Sequence, residues 1–140
     1  MKNVNALNVV LVLLGLVIIA MGFNVGLGGM RTLGWQGPTD FITVVDATAF
    51  QVQDSHIRFI AGVWFGVGAV FLLGGFQLEK FRTVLVTLSL MIAFAGLFRF
   101  SDWDSGVVFS AAIIPSIVFE LIGLPLLAWW LLRSAKGVQA

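Results

Sequence analysis

Cysteine is absent from the sequence, which excludes disulfide exchange, thiolate metal ligation and cysteine nucleophiles together. Histidine occurs once, at His56, so there is no HxxxH pair, and no carboxylate-rich spacing stands near it; neither a metal site nor a cofactor is expected. Charge is equally scarce: 11% of the residues are Asp, Glu, Lys or Arg, against roughly 25% in an average soluble domain. The eight Lys and Arg are scattered singly and the net charge is +1, so there is no basic face of the kind that binds nucleic acid.

Apolar side chains fill the space that charge leaves. They make up 59% of the 140 residues. A domain of this size buries only about two thirds of its surface on folding, so in water it would expose large apolar patches. Lipid must cover them.

Crossing ~30 Å of hydrocarbon takes about 20 mostly apolar residues at 1.5 Å per residue. Four stretches qualify: 7–27, 57–76, 81–98 and 108–132. The first, preceded by Lys2 and containing Ala20-Met21-Gly22, has the outline of a secretory signal, but is read here as a span. Short joints at Gln77-Leu78-Glu79-Lys80 and at Ser101-Asp102-Trp103-Asp104-Ser105-Gly106 make consecutive helices antiparallel neighbours. The expected fold is all-α, a four-helix transmembrane bundle forming one membrane domain over residues 1–140.

Basic residues near span ends are retained in the cytoplasm. Lys2, the Lys80/Arg82 turn and the Arg133/Lys136 tail fall on one side of a four-span chain, while Asp40, Asp46, Asp54, Asp102 and Asp104 fall on the other with Arg31. Both termini are therefore expected to be cytoplasmic. The outer segment 30–55 is too long for a turn and too apolar for a disordered linker. Within it Gly34-Trp35-Gln36-Gly37-Pro38 reads as a turn, Phe41-Ile42-Thr43-Val44-Val45 has strand-like composition, and Asp46 is placed to cap a helix running into the second span. It is either an interfacial loop or a lid over a cavity.

Small residues mark packed faces in lipid. Gly62 and Gly66 form a GxxxG on the second span, in line with Arg58 and Ala69, and Gly22 and Gly26 repeat the spacing on the first. Packing within one bundle accounts for them, and a homo-oligomer is the alternative. Pro115 lies near the start of the fourth span. Pro125 lies inside it and frees the carbonyl of Leu121, so a kink is expected just below Glu120.

Arg58, Arg99 and Glu120 stand within the apolar zone, where a charge costs about 2.5–3.5 kcal/mol even on the lenient insertion scale. With Leu132 at the inner boundary, Glu120 sits about 18 Å up the span, roughly 10–12 Å below the outer surface. Helical Cα–Cβ bonds tilt toward the N-terminus, so Arg99 leans into the membrane and Glu120 leans outward to its level; the two are expected to pair. Arg58 is one turn from Asp54, suited to an i,i+4 contact, and could close the cluster from the side. Such a cluster either fixes helix register or presents two arginines to an anionic head group, with Glu120 setting their positions; a proton relay is a third reading. His56 reads as an interfacial residue. The alternating carboxylates of Asp102-Trp103-Asp104 lack the further ligands of a calcium loop, and Asp104 or Ser105 reads as a cap for the fourth span.

These residues resemble a family of bacterial membrane proteins, the domain of unknown function 4345. The likeness lies in Asp54-Ser55-His56-Ile57-Arg58-Phe59-Ile60-Ala61-Gly62-Val63-Trp64-Phe65-Gly66, in Phe98-Arg99 before an Asp/Gly turn, and in Phe119-Glu120-Leu121 before a basic tail. Val63 stands where the family pattern has a glycine. The resemblance covers nearly the whole chain. It implies a four-span bundle in a bacterial cytoplasmic membrane and no assigned activity.

The expected role is a non-enzymatic bundle that holds membrane lipid or a small amphipathic molecule, or an accessory subunit bound to another membrane protein. The alternatives are a membrane enzyme using Glu120 as general base and a small transporter acting as an oligomer.

Overall fold

A computed structural model of the chain describes residues 5–32, 43–101 and 104–136, and all the regular structure among them is helical. The helices are α1 (Ala6–Gly28), α2 (Ala47–Phe76), α3 (Leu78–Leu97), the short α4 (Ser105–Val108) and α5 (Ile114–Val118), and α6 (Leu124–Lys136). Four helical segments are long and apolar enough to cross a membrane: Ala6–Thr32, Ala47–Phe76, Leu78–Phe100 and Ile114–Ser134. Large apolar side chains such as Leu13, Phe23 and Leu90 point outward from them, an arrangement that lipid tolerates and water does not. The chain is an integral membrane protein.

The helix ends follow local chemistry. Asp46 caps α2, its Oδ1 accepting from the backbone N–H of Thr48 at 2.8 Å and of Ala49 at 3.0 Å. The second helix thus begins ten residues before the expected boundary at Ile57. Its 30 residues would measure about 45 Å, half as long again as the hydrocarbon core. The excess lies at its N-terminus, where Gln51, Gln53, Asp54, Ser55 and His56 make the sequence polar. Residues 43–45 form no strand, contrary to their β-branched composition, while the rest of that segment and the turn at Gly34 to Pro38 lie outside the described residues, as do Asp102 and Trp103.

The fourth span also departs from expectation. Asp104 caps only the single turn of α4, and a non-helical stretch, 109–113, follows. The span itself starts at Ile114, with Pro115 in the first turn, where its missing N–H would have had no partner. Ahead of Pro125 the helix widens into a π turn, Phe119–Gly123, in which the N–H of Leu124 reaches back to the carbonyl of Phe119. Pro125 can neither donate to the carbonyl of Leu121 nor pack its ring against it, and the wider turn takes up that conflict at the position expected for the kink.

The chain divides into two compact units, Met1–Gln77 and Leu78–Ala140. In the first, α1 and α2 run antiparallel at very close approach. A Cβ added at Gly15 would stand 2.5 Å from the backbone N of Leu72 and 2.8 Å from the carbonyl of Gly68; one at Gly22 would stand 2.6 Å from the N of Phe65 and 2.8 Å from the carbonyl of Ala61. One at Gly68 would in turn stand 2.7 Å from the N of Ile19. These are backbone neighbours that cannot move aside, so only glycine fits. The contacts form a ladder with a step of seven residues: Asn8, Gly15, Gly22 and Gly29 on one chain segment face Gly75, Gly68, Ala61 and Asp54 on the other. Seven residues are close to two helical turns, so each helix keeps one face toward its partner. Gly62 and Gly66 are off this face, since a Cβ at either would meet nothing within 4 Å. They take no part in the contact of α1 with α2. Of the other expected pair, Gly22 is in the ladder and Gly26 only meets the Ala61 side chain at 3.8 Å.

In the second unit α3 packs antiparallel on α6 and the π turn. Leu85, Ser89, Ile92 and Gly96 are buried along α3, and Glu120, Leu124, Leu127, Ala128 and Leu131 along the partner segment. Alternating steps of three and four along α3 are those of a left-handed helix pair.

Candidate functional site

The ends of both helical pairs are closed by polar side chains. In the first unit Asn8 Nδ2 donates to the carbonyl of Gly75 at 2.7 Å, tying the start of α1 to the end of α2. At the opposite end the chain leaves α1 through Gly29, whose φ of 67° suits glycine, and enters a 3₁₀ turn, Gly29–Thr32. Asp54 meets that turn: its Oδ1 accepts from the N–H of Met30 at 2.7 Å and its Oδ2 from Arg58 Nε at 2.6 Å. Arg58 Nη1 then donates to the carbonyls of Gly26 and Leu27. These are terminal carbonyls of α1 with no helical partner, and a cation there also meets the negative end of the helix dipole. Arg31, at the same end, lies over the ring of Phe50 at 5.6 Å.

The second unit uses the same device with different residues. Arg82, in the first turns of α3, donates through Nη1 to the carbonyl of Leu131 at 2.7 Å and to Ser134 Oγ at 2.6 Å, while its Nη2 pairs with Glu79. Arg133 lies 4.2 Å from the centre of the Trp129 ring at this end, an aromatic and cationic combination suited to a membrane interface.

At the far end α3 tightens into a 3₁₀ turn, Phe98–Phe100, that carries Arg99. Its Nε donates to Glu120 Oε2 at 2.7 Å and its Nη2 to Oε1 at 2.6 Å, a bidentate pair. Side-chain direction predicts this contact, and Gly96 makes room for it: a Cβ there would stand 3.0 Å from the Cβ and Oε2 of Glu120. The π turn carries Glu120 on the buried face, in line with Leu124, Leu127 and Leu131.

The two partners are unequally covered. The Glu120 side chain is 11% exposed and that of Arg99 36%. Both carboxylate oxygens are engaged, whereas Nη1 of Arg99 makes no hydrogen bond among the described residues. Phe94, Leu97 and Phe98 are exposed on other faces of the same turns, the two rings in edge-to-face contact at 5.8 Å. The end of α3 therefore presents N–H donors on a span whose surface is otherwise largely apolar.

Of the residues singled out in the sequence, Asp54 and Arg58 pair within the first unit and Arg99 and Glu120 within the second, each pair complete in itself. Sequence reasoning missed Asn8 and Arg82. A donor at the start of a span, one helix length from the carbonyls of its antiparallel partner, was the available signal for both. No group of three or more His, Cys, Asp or Glu that could hold a metal occurs among the described residues.

A family model described as Domain of unknown function (DUF4345) matches residues 6–131. No curated protein and no solved structure matches the chain.

Proposed function

The chain belongs to the DUF4345 family, and on that premise we propose that this membrane protein holds a lipid or small amphipathic molecule against its second unit, at Arg99, without catalysing a reaction. The supporting observation is the edge of the Arg99 guanidinium that has no partner among the described residues, at the end of a span with exposed apolar side chains. A guanidinium N–H without an acceptor at the border of the hydrocarbon draws one from its surroundings, and the exposed apolar side chains of the same span offer an acyl tail a surface to lie on.

Glu120 positions the arginine. With each carboxylate oxygen accepting from a guanidinium N–H, it is poorly placed to take a proton from a substrate, which weighs against the general-base reading. The proposal takes the membrane to be the cytoplasmic membrane of a bacterium, as the family resemblance implies, with both termini inside, as the distribution of Lys and Arg supports.

Native mass spectrometry of the protein purified in mild detergent tests the reading. Retained lipid that disappears in Arg99→Ala supports it. A stoichiometric co-purifying protein replaces it with an accessory-subunit role, the acceptor then coming from the partner, and the absence of both leaves Arg99 and Glu120 as a structural clasp.

A further inference from the structure

Resting on that reading, we infer that the polar group held at Arg99 is a neutral carbonyl oxygen, as in the ester of a glycerolipid, and not an anionic head group. Two N–H groups on Nη1 and one on Nη2 have no acceptor among the described residues after the bidentate contact, so donors are present. Net positive charge is not: the guanidinium is matched by the Glu120 carboxylate at 2.6 Å. The local backbone also faces the wrong way for an anion. Arg99 sits where α3 ends, amid the outward-pointing carbonyls of a helix C-terminus, the partially negative end of the helix.

An anion approaching Nη1 would meet a carboxylate and this dipole at close range. It could take the arginine fully only by displacing Glu120, which would leave a carboxylate that is 11% exposed without its partner. A neutral carbonyl asks for none of this. It accepts the free N–H groups, leaves the ion pair closed, and carries no charge for Glu120 to repel. Position along the chain agrees with the chemistry, because Arg99 lies next to the end of its span, Leu78–Phe100, the level at which ester carbonyls lie.

The experiment offers the full-length protein, in mild detergent, an equimolar mixture of ester-linked phosphatidylcholine, ether-linked phosphatidylcholine and ester-linked phosphatidylglycerol, and reads the retained lipid by native mass spectrometry. The ether lipid has the same head group and chains but no carbonyl. One neutral hydrogen bond predicts a preference of about two- to tenfold for ester over ether phosphatidylcholine, with phosphatidylglycerol held no better than its zwitterionic counterpart. Arg99→Leu should abolish the ester preference. Arg99→Lys, which keeps the charge pair with Glu120 but replaces the planar fork with a single ammonium and fewer spare donors, should reduce it and covers the case of a leucine variant that does not fold. Arg99-dependent retention without ester preference, or with phosphatidylglycerol preferred, overturns the neutral-carbonyl inference and leaves lipid binding at Arg99 standing. No retained lipid in the wild-type protein overturns both.

Discussion

Gly29 holds a left-handed φ of 67°, and a methyl group on it would fall 2.0 Å from Asp54 Oδ1. Gly29→Ala should therefore lose about 1–2 kcal/mol from the backbone alone and push Asp54 away from the N–H of Met30; a lowered unfolding midpoint in detergent checks it. The Arg99–Glu120 pair makes a different prediction. Glu120→Leu strands a guanidinium, at a cost of about 2–3 kcal/mol, below the ~3–5 kcal/mol of a fully buried pair because Arg99 is partly solvated. The double variant Arg99→Leu/Glu120→Leu removes both charges and should recover most of that loss in the same unfolding assay. Residue-scale reasoning from sequence reached this pair because two helices of known direction and a tilt of Cα–Cβ bonds suffice to bring one side chain to the other. It could not reach the Arg58 contacts with Gly26 and Leu27, whose partners are backbone carbonyls and leave no mark on residue identity.

Among the elements, α1 and α2 depend on absent side chains. Gly22→Leu must force backbone apart at Phe65 and should destabilise the protein by about 1–3 kcal/mol or more, whereas Gly62→Leu, with nothing within 4 Å, should be near neutral. Thermal unfolding of the two variants side by side decides which glycines carry the packing. The spans were legible because hydrophobicity over 20 residues reports burial in lipid, whichever neighbours a helix has. The face between α1 and α2 was not reached because a four-residue spacing of glycines was weighed and a seven-residue one was not; Gly15, Gly22 and Gly29 repeat at that longer interval in plain sight. The π turn was not legible as such. Pro125 announces a broken hydrogen bond, but residue identity does not say that the preceding turn widens.

For the whole molecule, the absence of cysteine is an experimental convenience, since any introduced thiol is the only one. Single cysteines replacing Lys80 and Arg133 should react with a membrane-impermeant maleimide from one side of oriented vesicles, and those replacing Asp46 and Asp104 from the other. Labelling of Lys80→Cys and Asp46→Cys from the same side would refute the four-span topology that the basic residues imply. The family membership extends from residue 6 to residue 131 and so takes in three spans, most of the fourth, and the three ion pairs of the described residues.

The glycine ladder of the first unit cannot by itself tell one alignment from another. Sliding α1 by seven residues, about 10 Å, would set Gly15 beside Gly75, Gly22 beside Gly68 and Gly29 beside Ala61, every rung as sterically permissible as those of the native alignment. The hydrogen bonds at the extremities, Asn8 to the carbonyl of Gly75, Met30 to Asp54 and Arg58 to the carbonyls of Gly26 and Leu27, are forfeited in the displaced state. Three polar side chains thus act as end stops on a sliding contact, and the loss of all three would leave a hairpin with a choice of lengths.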